Sequence, residues 1–251
     1  MDHVWFGLGL AALTATTLLV GRWARVEVGW DPLVAIVRAA VQLTVVALLI
    51  RGILAVPWTV LAFVLLMLST ASWTSSRRLA DLWRGRRTAA AGVLAGSAVS
   101  LGLVFALRLV DLDARYVIAV GGIVIGSSMT AATLAGRNFL RASRAQSDVI
   151  EGWLALGATP PQAHDETGRT AARESLLPTL DQSRSTGLVT LPGAFVGALF
   201  GGASPLEAAQ FQLVVLAGIA LCTMVTAVVV TRLAGRTPYV LSAQVSPRST
   251  R

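Results

Sequence analysis

The chain has 251 residues and a formal net charge of +8, yet only 14% of it is charged and 55% is hydrophobic, with a mean hydropathy of +0.69. A soluble domain carries about 25% charged residues, and here the apolar residues come in runs of roughly 17 to 22, enough to cross about 30 Å of hydrocarbon. A soluble globule is excluded, and a polytopic all-α membrane protein is expected. The single cysteine, Cys222, rules out a disulfide framework and any Cys-based metal motif. All 21 basic residues are arginine, so the lysine that a Walker A loop needs is missing. If ATP drives this chain, a second polypeptide binds it.

In chain order, spans are expected near Val4–Val20, Pro32–Ile50, Pro57–Trp73, Thr88–Leu107, Tyr116–Ala135, Gly187–Ala203 and Phe211–Thr231, about seven in all. The start, Met1-Asp2-His3, lacks the basic region of a cleaved signal, so the first run is expected to stay as a span. Cytoplasmic loops collect arginine. With the N-terminus outside, 17 arginines fall in inside loops and the tail, three (Arg51, Arg108, Arg115) fall outside, and Arg38 lies within a span. The bias predicts N-out/C-in. The positive charge is spread over four loops and reads as topology, so no nucleic acid partner is expected.

Small residues recur at four-residue spacing: Gly92 and Gly96, Gly122 and Gly126, then Gly193, Gly197 and Gly201. Such faces let backbones approach closely, within one chain or at a dimer seam or pore wall. One transmembrane domain is expected over 1–236, with a disordered tail over 237–251.

One long polar connection, from about 136 to 186, interrupts this pattern. Its first part has helical spacing and should extend the fifth span. Gly157 suits the left-handed position that ends a helix. Thr159 then reads as an N-cap, Pro160 as the first helical residue, and Gln162 as the reciprocal member of a capping box. A second helix is expected from Pro160 to about Leu176, stopping before Pro178. The segment is an elbow built into the sequence: helix, sharp turn, helix.

Glu151, Leu154-Ala155-Leu156-Gly157-Ala158-Thr159-Pro160 and the later Leu177-Pro178 resemble the cytoplasmic EAA loop of ABC-transporter permeases. Gly152 and Trp153 stand where that motif has two alanines. The other matching motifs begin with Arg38-Ala-Ala-Val-Gln42-Leu43 and Gly122-Ile-Val-Ile-Gly126-Ser-Ser-Met129-Thr130. They continue with Gly187-Leu-Val-Thr-Leu-Pro192-Gly193-Ala-Phe-Val-Gly197 and Gly202-Ala-Ser-Pro205-Leu-Glu-Ala-Ala-Gln210-Phe-Gln212. As an ordered set over roughly residues 30 to 232, they are similar to the FetB/YbbM-type iron-export permeases, a family with plant aluminium-sensitivity permeases as relatives.

The resemblance implies a bacterial plasma-membrane half-transporter that has no ATPase site and binds no cofactor of its own. ATP and Mg would be used by a FetA-type ATPase, two copies of which would pair with two copies of this permease in the bilayer. It assigns docking of that ATPase to Glu151, Leu156, Gly157, Ala158, Thr159 and Pro160.

Polar residues inside spans mark candidates for the path. Arg38 and Gln42 share one face of the second span; they face a path or a helix partner, or Arg38 snorkels to headgroups. Ser127, Ser128 and Thr130 line a path or bond back to helix carbonyls; Met129 lies among them. Pro192 should bend the sixth span, as a gate or a packing kink. Iron favours carboxylate, imidazole or thiolate ligands, whereas the spans hold only Cys222, Met67, Met129 and Met224, so the metal ligands are unknown. Relatives commonly carry methionines where this chain has Ala194 and Phe195, and an asparagine at Ser127. Other open readings are an ABC permease for a UDP-sugar, an importer permease, and, remotely, a seven-span intramembrane enzyme or receptor. The enzyme would need a nucleophile–base pair or metal cluster at membrane depth, and none is seen.

Overall fold

A computed structural model describes residues 3–26 and 29–238, and they fall into two units, residues 1–57 and 58–251. The first unit holds α1 (His3–Trp23) and α2 (Asp31–Ala55), with Pro32 in the first turn of α2. The second holds α3 (Pro57–Arg78) from its second residue on, α4 (Gly85–Ala106), α5 (Ala114–Ala145), α6 (Ser147–Ala155), α7 (Pro160–Ala163), α8 (Asp165–Ser185), α9 (Gly193–Phe200) and α10 (Pro205–Ala234). Among the described residues there is no strand, only an isolated bridge between Thr186 and Thr190. The all-α, multi-span expectation holds.

In the second unit α4, α5 and α10 pack side by side, with α8 lying against α5 and α10. Contact depends on missing side chains. A Cβ on Gly92 would lie 2.5 Å from Val230 Cγ2, and one on Gly96 would collide with Thr226 Oγ1 and come within 2.7 Å of the Cys222 carbonyl oxygen. The close approach lets Thr226 Oγ1 donate to the Gly92 carbonyl at 3.1 Å and Ser100 Oγ donate to that of Gly218 at 2.8 Å. This pair of glycines packs within the chain. Gly122, Gly126, Gly193 and Gly197 do not; only Met67 Sδ, 3.8 Å from a Cβ on Gly122, comes near any of them.

Among the described residues six helices are long and apolar enough to cross a membrane: α1, α2, α3, α4, α5 and α10. The seventh expected span, over Gly187–Ala203, is corrected: its only helix is α9, eight residues and about 12 Å long. The expected stop before Pro178 is also corrected, because α8 runs through Pro178 to Ser185. A proline at this position forfeits one bond, to the carbonyl of Glu174, and one lost bond does not end a helix already packed on α5 and α10. The helix ends instead at Gly187, whose φ of +92° suits glycine. The expected tail lies outside the described residues from 239 onward.

Candidate functional site

Two places in the second unit answer to the candidate residues: the elbow, and a crevice along α5.

At the elbow α5 gives way to α6 at Gln146. The end of α6 is a Schellman motif: the Gly157 N–H donates to Leu154 O at 3.0 Å and the Ala158 N–H to Trp153 O at 3.0 Å. Gly157 sits at φ +89°, the left-handed conformation this motif requires. Two residues on, Gln162 Oε1 accepts from both the backbone N–H and the hydroxyl of Thr159 at 2.8 Å, so the next helix is capped as its sequence predicts. The turn is therefore held by hydrogen bonds on both sides.

What the turn presents is an open concavity of about 690 Å³. Leu156, Gly157 and Ala158 line it, joined by Trp153, Pro161 and Gln162. Leu156 is 83% exposed and Trp153 55%. Thr159 and Pro160 form the cap behind it. Glu151 is exposed on α6 but does not line the concavity. Trp153, in sequence a departure from the EAA pattern, is the largest side chain at this surface.

The crevice, of about 370 Å³, lies between α5, α8 and α10. From α5 come Gly122, Gly126, Ser127 and Thr130; from α8 Ser175, Thr179 and Gln182; from α10 Thr223. The bare faces of Gly122 and Gly126 open into it. Of the four consecutive candidates on α5, the structure brings Ser127 and Thr130 to the crevice, and Thr130 Oγ1 also bonds back to the Gly126 carbonyl at 3.2 Å. Ser128 is fully buried, and Met129 packs on the apolar core with Val64, Met67 and Leu68. Arg38 and Gln42 stand exposed one turn apart on α2, in the first unit.

Pro192 is the N-cap residue of α9. The link before it, Thr186 to Pro192, is unwound, and Gln212 of α10 caps α9 from outside: its Oε1 accepts from the Phe195 N–H at 3.1 Å. Sequence reasoning missed the α8 wall of the crevice. Its signal was present: Ser175, Thr179 and Gln182 recur at four and three residues, one polar stripe on a helix.

A second concavity of about 880 Å³ lies between the α4–α5 loop, α9 and the start of α10, lined in part by Arg108, Asp111, Asp113, Arg115 and Glu207. Among the described residues no group of three or more His, Cys, Asp or Glu side chains could hold a metal ion.

The helices and their lengths define a multi-pass integral membrane protein. The chain belongs to the Uncharacterised protein family UPF0014, which it matches over residues 5–239. It is 36% identical over 208 residues to UPF0014 membrane protein STAR2 of Oryza sativa subsp. japonica, covering 82% of this chain and 73% of the relative. To UPF0014 membrane protein YjkA of Bacillus subtilis it is 31% identical, covering 86% of each. To the protein named "Probable iron export permease protein FetB" of Escherichia coli it is 27% identical, covering 81% of this chain and 79% of the relative. The resemblance drawn from the motifs is thus borne out. No solved structure matches the chain.

Proposed function

We propose that this chain is the membrane permease subunit of an ATP-driven ABC exporter in the bacterial plasma membrane, carrying iron or another metal. The observation that carries this reading is the elbow: a turn fastened on both sides that holds an exposed Leu156 and Trp153 around a concavity. Exposed apolar side chains on a rigid turn suit capture by a second protein. The partner is a FetA-type ATPase, and because an ABC cycle closes two ATPases on two ATP molecules, the working unit holds two copies of each chain. The relative named as an iron export permease supports the direction and the cargo.

In this reading the elbow faces the cytoplasm, and the end of α8 together with α9 makes one interrupted crossing. Half-helices and unwound backbone are tolerated at membrane depth where protein or a watery cavity surrounds them. That crossing restores an odd number and keeps the N-terminus outside and the C-terminus inside, as the arginine bias requires. The cargo follows the crevice of Ser127, Thr130, Thr179 and Gln182, whose hydroxyl and amide oxygens can replace waters of a hydrated cation.

The test is transport into vesicles reconstituted with this chain and its ATPase, comparing iron with UDP-glucose. ATP-dependent iron flux supports the reading; no co-purifying ATPase and no flux of either compound would sink it. The exposed Arg38–Gln42 pair favours an anionic cargo as the second reading, and flux of the sugar nucleotide alone would establish that one.

A further inference from the structure

Three arginines and a buried histidine converge where the first turn of α8 meets the end of α10. A pocket of about 390 Å³ opens there, with His164, Asp165, Arg169, Arg232 and Arg236 in its lining. Arg169 Nη2 lies 2.5 Å from Asp165 Oδ2, so one of the three cations is already paired. Arg232, in the last turn of α10, and Arg236, just past its end, make no ion pair among the described residues. The pocket therefore keeps an excess of two positive charges, the three arginines less Asp165.

His164 is an independent sign of a missing ligand. Its side chain is 1% exposed and its ring stacks on Phe139 with centroids 5.7 Å apart. Nδ1 lies 2.9 Å from the carbonyl oxygen of Pro160. A carbonyl can only accept, so Nδ1 carries a proton and donates. That assignment leaves Nε2 buried with no partner, on a residue that lines the pocket. A polar atom in that position is costly unless something pairs with it. Arg232 in the last turn of α10 also complements its carbonyl end, but that role leaves Nε2 without a partner.

We propose that this pocket binds an anionic phosphate group, from a lipid headgroup or from a small phosphate in water. Phosphate oxygens accept from the planar guanidinium forks of Arg232 and Arg236. Nε2 of the neutral ring accepts from the hydroxyl of inorganic phosphate or of a headgroup glycerol, and the protonated ring donates to a phosphate oxygen of either source. A lipid source fits the location, since basic pockets between membrane helices at their arginine-rich end take anionic headgroups. The occupant would tie the second limb of the elbow to α10. This site is separate from the transport reading and survives if that reading fails.

The experiment uses the full chain, purified in detergent and in phosphatidylcholine nanodiscs. One arm reads retention of phosphatidylglycerol against phosphatidylcholine by native mass spectrometry. The other reads the melting temperature in phosphatidylcholine discs with and without inorganic phosphate. Selective retention of phosphatidylglycerol, cut about fivefold for each arginine removed in Arg232→Gln/Arg236→Gln, supports the site with a lipid source. A rise in melting temperature with inorganic phosphate that the double variant abolishes supports it with a soluble source. His164→Asn keeps a donor for the Pro160 carbonyl while deleting Nε2, and should weaken the same signal. If His164→Asn does not fold, the double variant at two exposed side chains carries the test. Equal behaviour of wild type and double variant in both arms overturns the proposal.

Discussion

The backbone N–H of Phe195 donates to Oε1 of Gln212, 17 residues away, at 3.1 Å. Phe195 is the third residue of α9, where the N-cap side chain ordinarily accepts this bond, and the N-cap here is Pro192, which has no acceptor to offer. Gln212 is 5% exposed, so the borrowed cap is also a buried one. Replacing it with leucine should strand the Phe195 N–H, at a cost of about 1–3 kcal/mol. The expected result of Gln212→Leu is a lower melting temperature and reduced transport, with Gln212→Glu retaining most of the former. An unchanged melting curve would show that α9 does not depend on α10 for its start.

Two glycines of similar sequence context should respond in opposite ways. Gly96→Ala places a methyl against Thr226 and the Cys222 carbonyl, so α4 must back away from α10 and the yield of folded protein should collapse. Gly126→Ala meets nothing within 4 Å but adds bulk to the crevice; it should fold normally and transport poorly. Comparing expression in membranes with vesicle flux checks both at once. Normal flux in Gly126→Ala would remove the crevice from the path.

The elbow separates a conformational requirement from a contact requirement. Gly157→Ala forces a Cβ into φ +89° and should cost about 1–2 kcal/mol of the turn. Leu156→Ala and Trp153→Ala leave the turn intact, since both side chains are exposed, and should weaken ATPase association severalfold with melting temperature unchanged. Co-purification measured beside thermal stability distinguishes the two. ATPase retention by the Leu156/Trp153 double variant at wild-type level would mean that the partner grips elsewhere.

Cys222 is the only cysteine and is fully buried, so the natural chain should resist thiol reagents while folded. Single cysteines at Ser127, Thr179 and Gln182 should then label with a small water-soluble maleimide, and Ser128→Cys should not. Labelling at Ser128 equal to that at Ser127 would contradict the placement of the crevice.

Hydropathy made the long helices legible, because a lipid-facing helix must be apolar along its length. Local chemistry made the elbow legible for a different reason: Gly157, Thr159 and Gln162 satisfy backbone groups within a few residues of themselves. The interrupted segment was misread on both counts. The far half of α8 carries Ser175, Thr179, Gln182 and Arg184 and buries nothing beyond Leu176, so it shows no apolar stripe and reads as loop. The apolar run that follows invites a full span, yet Gly187 and Pro192 break it. The pairing of Gln212 with Phe195 depends on tertiary approach and leaves no local mark. Pro178 misled because a proline stops a helix only when nothing else holds it.

The unwound stretch from Thr186 to Pro192 is fastened mainly to itself and to the last turn of α8, through Gly187 to Thr190 at 2.9 Å and Val189 to Ser185 at 3.0 Å. It makes two levers of what would otherwise be one rod. If the chain transports as proposed, a push on α8 would be absorbed at this flexure without dragging α9, whose start is capped by Gln212 of α10. On that reading, opening at one end of the molecule and closing at the other would be set by different springs.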